Sequence, residues 1–194
     1  IFDNMKKTQQ AVEFQITQEY TGQGKHLVFL APMWKEFFSF VAPDSLKAIA
    51  GVSNIGDDIN WCGHPFSQAN WYAFGRLAWN PSFSSDFIAQ EWIGQTFGNE
   101  VNSYILADMM TTSREACVDY MMPLGLHHLF ASQHHYGSEA DGVKAEHPLE
   151  WCPIPYHKAA ADGIGFDRSS KGTNAVSQYR EPYRSLYDNL ATCP

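Results

Sequence analysis

The sequence predicts an α/β fold, the last β/α units of a TIM-type (β/α)8 barrel over residues 1–80, followed by a mainly α-helical domain over residues 81–194. Three observations lead there. A strictly alternating segment ends on a carboxylate before a glycine-containing loop, a second short β-prone run follows it, and from Pro65 onward the apolar period changes to that of a helix. Two strand-plus-loop units, each followed by helical or irregular chain, suit the last turns of a barrel better than a complete fold. The earlier strands are therefore expected upstream of Ile1.

The first element spans residues 11–19, with Val12, Phe14 and Ile16 on one face and Glu13, Gln15, Thr17 and Glu19 on the other. The turn-prone run Tyr20-Thr21-Gly22-Gln23-Gly24 ends it. Residues 32–40 suit either a helix or a covering loop, and a second strand is expected over residues 48–53. Phe66, Ala69, Ala73, Phe74 and Leu77 then recur at helical spacing until Asn80-Pro81 closes the segment. Another helix starts at Ser84 or Ser85, either of which can cap it, with Asp86 in its first turn and Gly98-Asn99 as its stop. It should bury Phe87, Ile88 and Trp92. A longer helix is expected from about Val101 to Met122, ended by Pro123 and Gly125. Beyond Leu126 an aromatic, histidine-rich, loop-like region runs to Arg168, followed by a polar stretch.

Composition narrows the function classes. The 194 residues carry 13 Lys plus Arg against 21 Asp plus Glu, a formal charge of −8, with 44% hydrophobic and 14% aromatic residues. That composition supports a packed core. The acidic balance, with no cluster of Lys and Arg, argues against nucleic acid and anionic membranes as partners. The longest apolar run, from Leu27 to Trp34, contains a proline and is far short of the roughly 20 residues of a spanning helix. No charged n-region followed by an apolar stretch opens the sequence. Cys62, Cys117, Cys152 and Cys193 are too widely spaced for a zinc ribbon or a disulfide-dense scaffold and are expected to be free thiols. The first residue is Ile1 and the last are Thr192-Cys193-Pro194, so a piece of a longer chain is expected.

Glu19 is the sharpest candidate for chemistry, because catalytic groups of β/α barrels sit at the C-terminal ends of the strands. A salt-bridged or solvated strand-end glutamate would give the same pattern. Glu13 cannot be its partner: six residues of strand span roughly 20 Å, whereas glycosidase carboxyl pairs lie about 5–10 Å apart. Six of the eight histidines, His127, His128, His134, His135, His147 and His157, crowd together without metal-ligand spacing. His134-His135-Tyr136-Gly137 reads as a polar, ring-bearing loop lining a sugar cleft, or as a hydrogen-bonded structural loop. Among the tryptophans Trp61, Trp71, Trp79, Trp92 and Trp151, each a possible sugar-stacking surface, Trp71 and Trp92 fall in helical periods and read as core. Trp151, in an irregular stretch before Pro153 and Pro155, is the best ligand-facing candidate. The run Asp162-Gly163-Ile164-Gly165-Phe166-Asp167-Arg168 lacks the context of a dinucleotide fingerprint and reads as a tight-turn loop. No nucleophilic serine elbow or phosphate loop appears.

The same residues carry a resemblance. Glu13-Phe14-Gln15-Ile16-Thr17-Gln18-Glu19-Tyr20 and the run from His26 to Glu36 are similar to the late barrel segment of the glycoside hydrolase family 67 α-glucuronidases. Gly51-Val52-Ser53-Asn54-Ile55-Gly56, Gly63-His64-Pro65-Phe66, Gln68-Ala69-Asn70-Trp71-Tyr72, the run from Phe74 to Pro81, His134-His135-Tyr136-Gly137 and the run from Asp162 to Arg168 continue it in order. The resemblance implies a three-part enzyme, with a β-sandwich-type domain, a central barrel and a helical C-terminal domain that supports a homodimer. It implies removal, with inversion, of 4-O-methyl-D-glucuronic acid α-1,2-linked to the terminal xylose of xylo-oligosaccharides, in xylan breakdown. No metal or organic cofactor is implied. Within the family the attacking water is held by an aspartate and a glutamate, and the glutamate of the motif is Glu19 here. The general acid, the aspartate and the uronate-binding groups are expected upstream of Ile1, so the isolated chain is expected to be inactive. Trp151 matches a family tryptophan that reaches the cleft.

Three departures stand out. The connection from Phe37 to Ile49 is short for the family, Cys62 stands in place of threonine, and Ser138 in place of proline. The competing class is a non-catalytic module that binds carbohydrate through exposed aromatics or serves in dimerisation.

Overall fold

The computed structural model describes residues 7–8, 10–18, 26–53, 57, 59–61, 64–98, 101–121, 169–172 and 174–189. The alternation of the first segment becomes strand β1, Gln10–Gln15, with Phe14 buried and Glu13 and Gln15 exposed. The strand is shorter than expected, since the chain bends at Ile16 and Thr17 and leaves the ladder. Thr17, expected on the polar face with Glu19, is buried instead, because past the bend period two no longer dictates which way a side chain points.

The helix-or-loop alternative resolves to helix α1, Ala31–Phe40, with Pro32 in its first turn, where the missing N–H costs nothing. Strand β2, Leu46–Val52, follows and pairs with β1 in parallel, with Val12 opposite Ile49 and Phe14 opposite Gly51. A parallel pair needs a crossover connection, and α1 lies within it. Phe14 stacks on Trp34 with ring centroids 5.7 Å apart and meets the edges of Phe37 and Phe38 of the same helix.

Helix α2, Ser67–Trp79, and helix α3, Ser85–Phe97, form where the period and the caps predict them. The Phe87 N–H donates to Ser84 Oγ at 3.1 Å, and Gly98, at φ +67°, ends α3 in a conformation that disfavours any side chain. Ala69, Ala73 and Leu77 are buried on α2, and Ile88, Ala89, Trp92 and Ile93 on α3. Phe87 is not, being 46% exposed against the expectation. The inward face of α3 starts at Ile88, so Phe87 sits at its margin and packs on Phe83 at 5.3 Å. Trp92 is core as expected, Trp71 is half-buried and Trp79 lies on the surface. Arg76 ties the two helices by a 2.8 Å ion pair to Glu91 while its guanidinium covers the Phe83 ring.

Gly51 has a steric role. A Cβ there would lie 2.8 Å from Ile16 Cδ1 and 2.9 Å from the Phe74 ring, which itself packs against Phe14 and Trp34. The ring is packed against two other aromatic rings, so Gly51→Ala is expected to destabilise the protein by about 1–3 kcal/mol through overpacking. A lowered denaturation midpoint at unchanged m-value checks this.

Helix α4, Ser103–Met121, buries Ala107, Met110, Ser113, Cys117 and Met121 along one stripe. The described residues fall into two compact units that divide after Cys117. In the second, the stretch expected to be merely polar holds a 3-10 turn, Ala175–Gln178, and a short helix α5, Tyr183–Asp188. Tyr187 is buried there against Tyr179 and Tyr183, and Asp188 accepts from the Ser170 N–H. Among the described residues no helix is long and apolar enough to cross a membrane.

Candidate functional site

The C-terminal rim of the parallel pair is the natural place to look for chemistry. The Ile16 N–H donates to the Val52 carbonyl at 2.8 Å, and the Thr17 and Ser53 hydroxyls lie 3.3 Å apart, so the two strands end side by side. Gln18 follows on the rim, and Glu19 is the next residue in sequence.

A buried run, Val28-Phe29-Leu30, passes the rim outside the strand ladder. Its backbone groups must still be satisfied, and side chains do this. The Leu30 N–H donates to Asn70 Oδ1 at 2.9 Å, and Asn70 Nδ2 donates to the Val28 carbonyl at 2.8 Å. The Phe29 N–H donates to Ser113 Oγ at 2.9 Å, and that hydroxyl donates onward to the Met110 carbonyl. Asn70 of α2 thus imitates a neighbouring strand, offering one acceptor and one donor to residues two apart.

Between this run, the rim and the start of α2 lies a hollow lined by Thr17, Gln18, His26, Val28, His64, Phe66, Ser67 and Asn70. It has room for about one water molecule. A sugar ring does not fit, so this is a polar support at the rim and not a substrate cleft. His64 is the unusual member. Both of its ring nitrogens are buried, and neither makes a hydrogen bond of good geometry among the described residues, although the His26 backbone lies near enough to favour its charged form. Burial holds its pKa below the usual histidine value, opposed by the His26 backbone and assisted by the charge of the His26 ring. A neutral imidazole results, with one N–H donor and one acceptor.

Of the residues singled out in the sequence, Glu19, Trp151, His134 and His135 all lie outside the described residues, as does the run from Asp162 to Arg168. Glu13 is described and is exposed on β1, not at the hollow. Among the described residues no three His, Cys, Asp or Glu side chains converge as metal ligands would. The pairing of His26 with His64 escaped the sequence reading. These are the two histidines outside the crowded stretch, and no local pattern links positions so far apart in the chain.

Two family models match the chain: residues 1–45 the glycosyl hydrolase family 67 middle domain, and residues 62–194 the glycosyl hydrolase family 67 C-terminus. Among relatives, the chain is 36% identical over 215 residues to a protein of Emericella nidulans named alpha-glucuronidase A. It is 34% identical to a probable alpha-glucuronidase A of Aspergillus oryzae and 33% identical to alpha-glucuronidase A of Aspergillus tubingensis. Each match covers 100% of this chain and 25% of the relative, so the chain spans about a quarter of the length of these curated relatives.

Proposed function

The chain belongs to glycosyl hydrolase family 67, and on that premise we propose that the full-length protein is an inverting α-glucuronidase. Its substrate is a xylo-oligosaccharide from xylan that carries (4-O-methyl-)D-glucuronic acid α-1,2-linked to the terminal xylose. The observation that carries this reading is the ordered match of both family models along one chain, with relatives named alpha-glucuronidase aligned over all of it.

The chemistry follows from what inversion requires. Water must attack the anomeric carbon on the face opposite the leaving xylose, while an acid elsewhere in the protein protonates the departing oxygen. Glu19 takes the water's proton. Its place in sequence supports this, one residue beyond Gln18 on the rim where two parallel strands end. The crossover helix between those strands supports assigning residues 1–80 to the end of a (β/α)8 barrel, and the run of helices α3 and α4 supports a helical domain over residues 81–194. Trp151, His134 and His135 complete the cleft around the sugar. The full-length protein is a homodimer, and the isolated chain, about a quarter of the length of its relatives, does not turn over.

Full-length protein incubated with an aldouronic oligosaccharide should release 4-O-methylglucuronic acid, with the β-anomer appearing first by NMR. First formation of the α-anomer would remove the inverting mechanism, and no release at all would leave a non-catalytic module as the better reading.

A further inference from the structure

β1 and β2 form a parallel pair, and parallel sheets occur almost only with both faces covered. Here one face is covered. Phe14 packs on Trp34, Phe37 and Phe38 of α1, and Phe74 of α2 closes over Phe14 and Gly51. The opposite face is bare, with Ala11, Glu13 and Gln15 of β1 exposed beside Ala48 and Ala50 of β2. Glu13 stands at its centre, level with Ala50 in the register. With helices on one side only, the bare face is the one that turns inward when such a sheet closes into a barrel. The chain spans about a quarter of the length of its relatives, so the full-length protein has ample chain to cover it.

On a covered face the carboxylate of Glu13 lies inside, and carboxylates are almost never buried without a partner. The strand pair itself offers none. Gln15 is neutral, Ala11, Ala48 and Ala50 carry no polar side-chain atoms, and the ion pairs Arg76–Glu91 and Arg114–Glu115 of the described residues leave Glu13 out. The alanines do supply space, because their methyl groups leave room for a long side chain to reach Glu13 from across the barrel.

We propose that this bare face receives the upstream strands of the full-length protein, and that Glu13 pairs there with a Lys or Arg that one of those strands points into the barrel. This rests on the reading of residues 1–80 as the end of a (β/α)8 barrel. A buried pair of this kind specifies register, since a strand displaced by one residue turns its cation to the other face and leaves Glu13 unpaired.

The test uses the full-length protein, with the midpoint of thermal unfolding at one scan rate as readout. Glu13→Gln and Glu13→Met remove the charge at nearly constant volume and strand the cation, so each should lower the midpoint by roughly 5–10 °C. Glu13→Lys sets like charges against each other and should lower it further. A Glu13→Met midpoint at or above that of the unsubstituted protein overturns the proposal, because a covered carboxylate with no cation facing it is relieved by an apolar replacement. So does a Glu13→Lys midpoint no lower than that of Glu13→Gln. If Glu13→Lys does not fold, the Glu13→Met result decides alone. Ala50→Phe separates this inference from the barrel reading. On a covered face the ring displaces whatever fills that space and the midpoint falls, whereas on a face open to water it stays within about 1 °C. An unchanged Ala50→Phe removes the barrel reading and this inference with it, whereas a damaged Ala50→Phe beside a harmless Glu13→Met removes only this inference.

Discussion

Glu19→Ala in the full-length enzyme is expected to lower turnover by about 10²- to 10⁴-fold, the range for losing a general base. The water that attacks the anomeric carbon is a poor nucleophile until its proton has somewhere to go, and alanine offers no acceptor. On the proposed reading binding should change little, because other residues would hold the uronate and the xylose. The expected signature is thus a collapse of kcat with the product's dissociation constant within several-fold of its original value, measured by calorimetry. Glu19→Gln makes the test stricter. It keeps the shape and a hydrogen-bond acceptor but removes the basicity, so it should lose nearly as much as alanine. A glutamine variant near full rate would mean that Glu19 orients the water and another group takes the proton.

The second large effect falls on stability. Asn70→Ala is expected to cost on the order of 2–5 kcal/mol, because it strands two buried backbone groups, the Leu30 N–H and the Val28 carbonyl, each worth about 1–3 kcal/mol when left unpaired. Denaturant titration of the full-length protein, followed by fluorescence of the buried Trp34 and Trp92 among its other tryptophans, reads this as a shift in midpoint. Asn70→Asp provides a sign check. An ionised carboxylate still accepts from Leu30 but faces the Val28 carbonyl with no donor, in a buried place that disfavours charge. The new carboxyl's folded-state pKa is therefore raised above its unfolded value of about 3.9. Its stabilising contribution is complete below that value, where it is protonated and can donate to Val28, and is lost as pH rises through the folded pKa. Asn70→Asp should accordingly lie closer to the unsubstituted protein near pH 4 than near pH 7. Equal destabilisation at both would mean that the Val28 contact contributes nothing.

Much of the fold is written locally. Period two carries β1 through Phe14, the apolar run at helical spacing carries α2, and Ser84, Asp86 and Gly98 mark both ends of α3 to within a residue. These features depend on residues within one turn or one strand of each other, so the chain itself carries the instruction. Apart from the early end of β1 and the short helix α5, the expectations that failed concern what lies beyond that range. Phe87 follows the helix but falls outside its buried arc, and Thr17 continues the alternation in sequence but follows a bend in space. The family was legible too, since long motifs in a fixed order identify it before any coordinate does. The hollow at the rim was not legible, and Glu19, which the sequence singles out, lies outside the described residues.

By itself, then, the sequence determined most of the strands and helices and which lineage of enzyme the chain belongs to, but not the helix over residues 32–40, the early end of β1 or helix α5. Tertiary structure alone decided that Asn70 and Ser113, unremarkable polar residues inside helical periods, supply the hydrogen bonds that a missing strand would have made to Val28, Phe29 and Leu30. It alone brought His26 and His64 to one hollow beside Gln18. The reason is range: periodicity and capping act over a few residues, whereas a buried backbone group can be satisfied by any side chain that packing brings within about 3 Å, however far away that side chain lies along the chain.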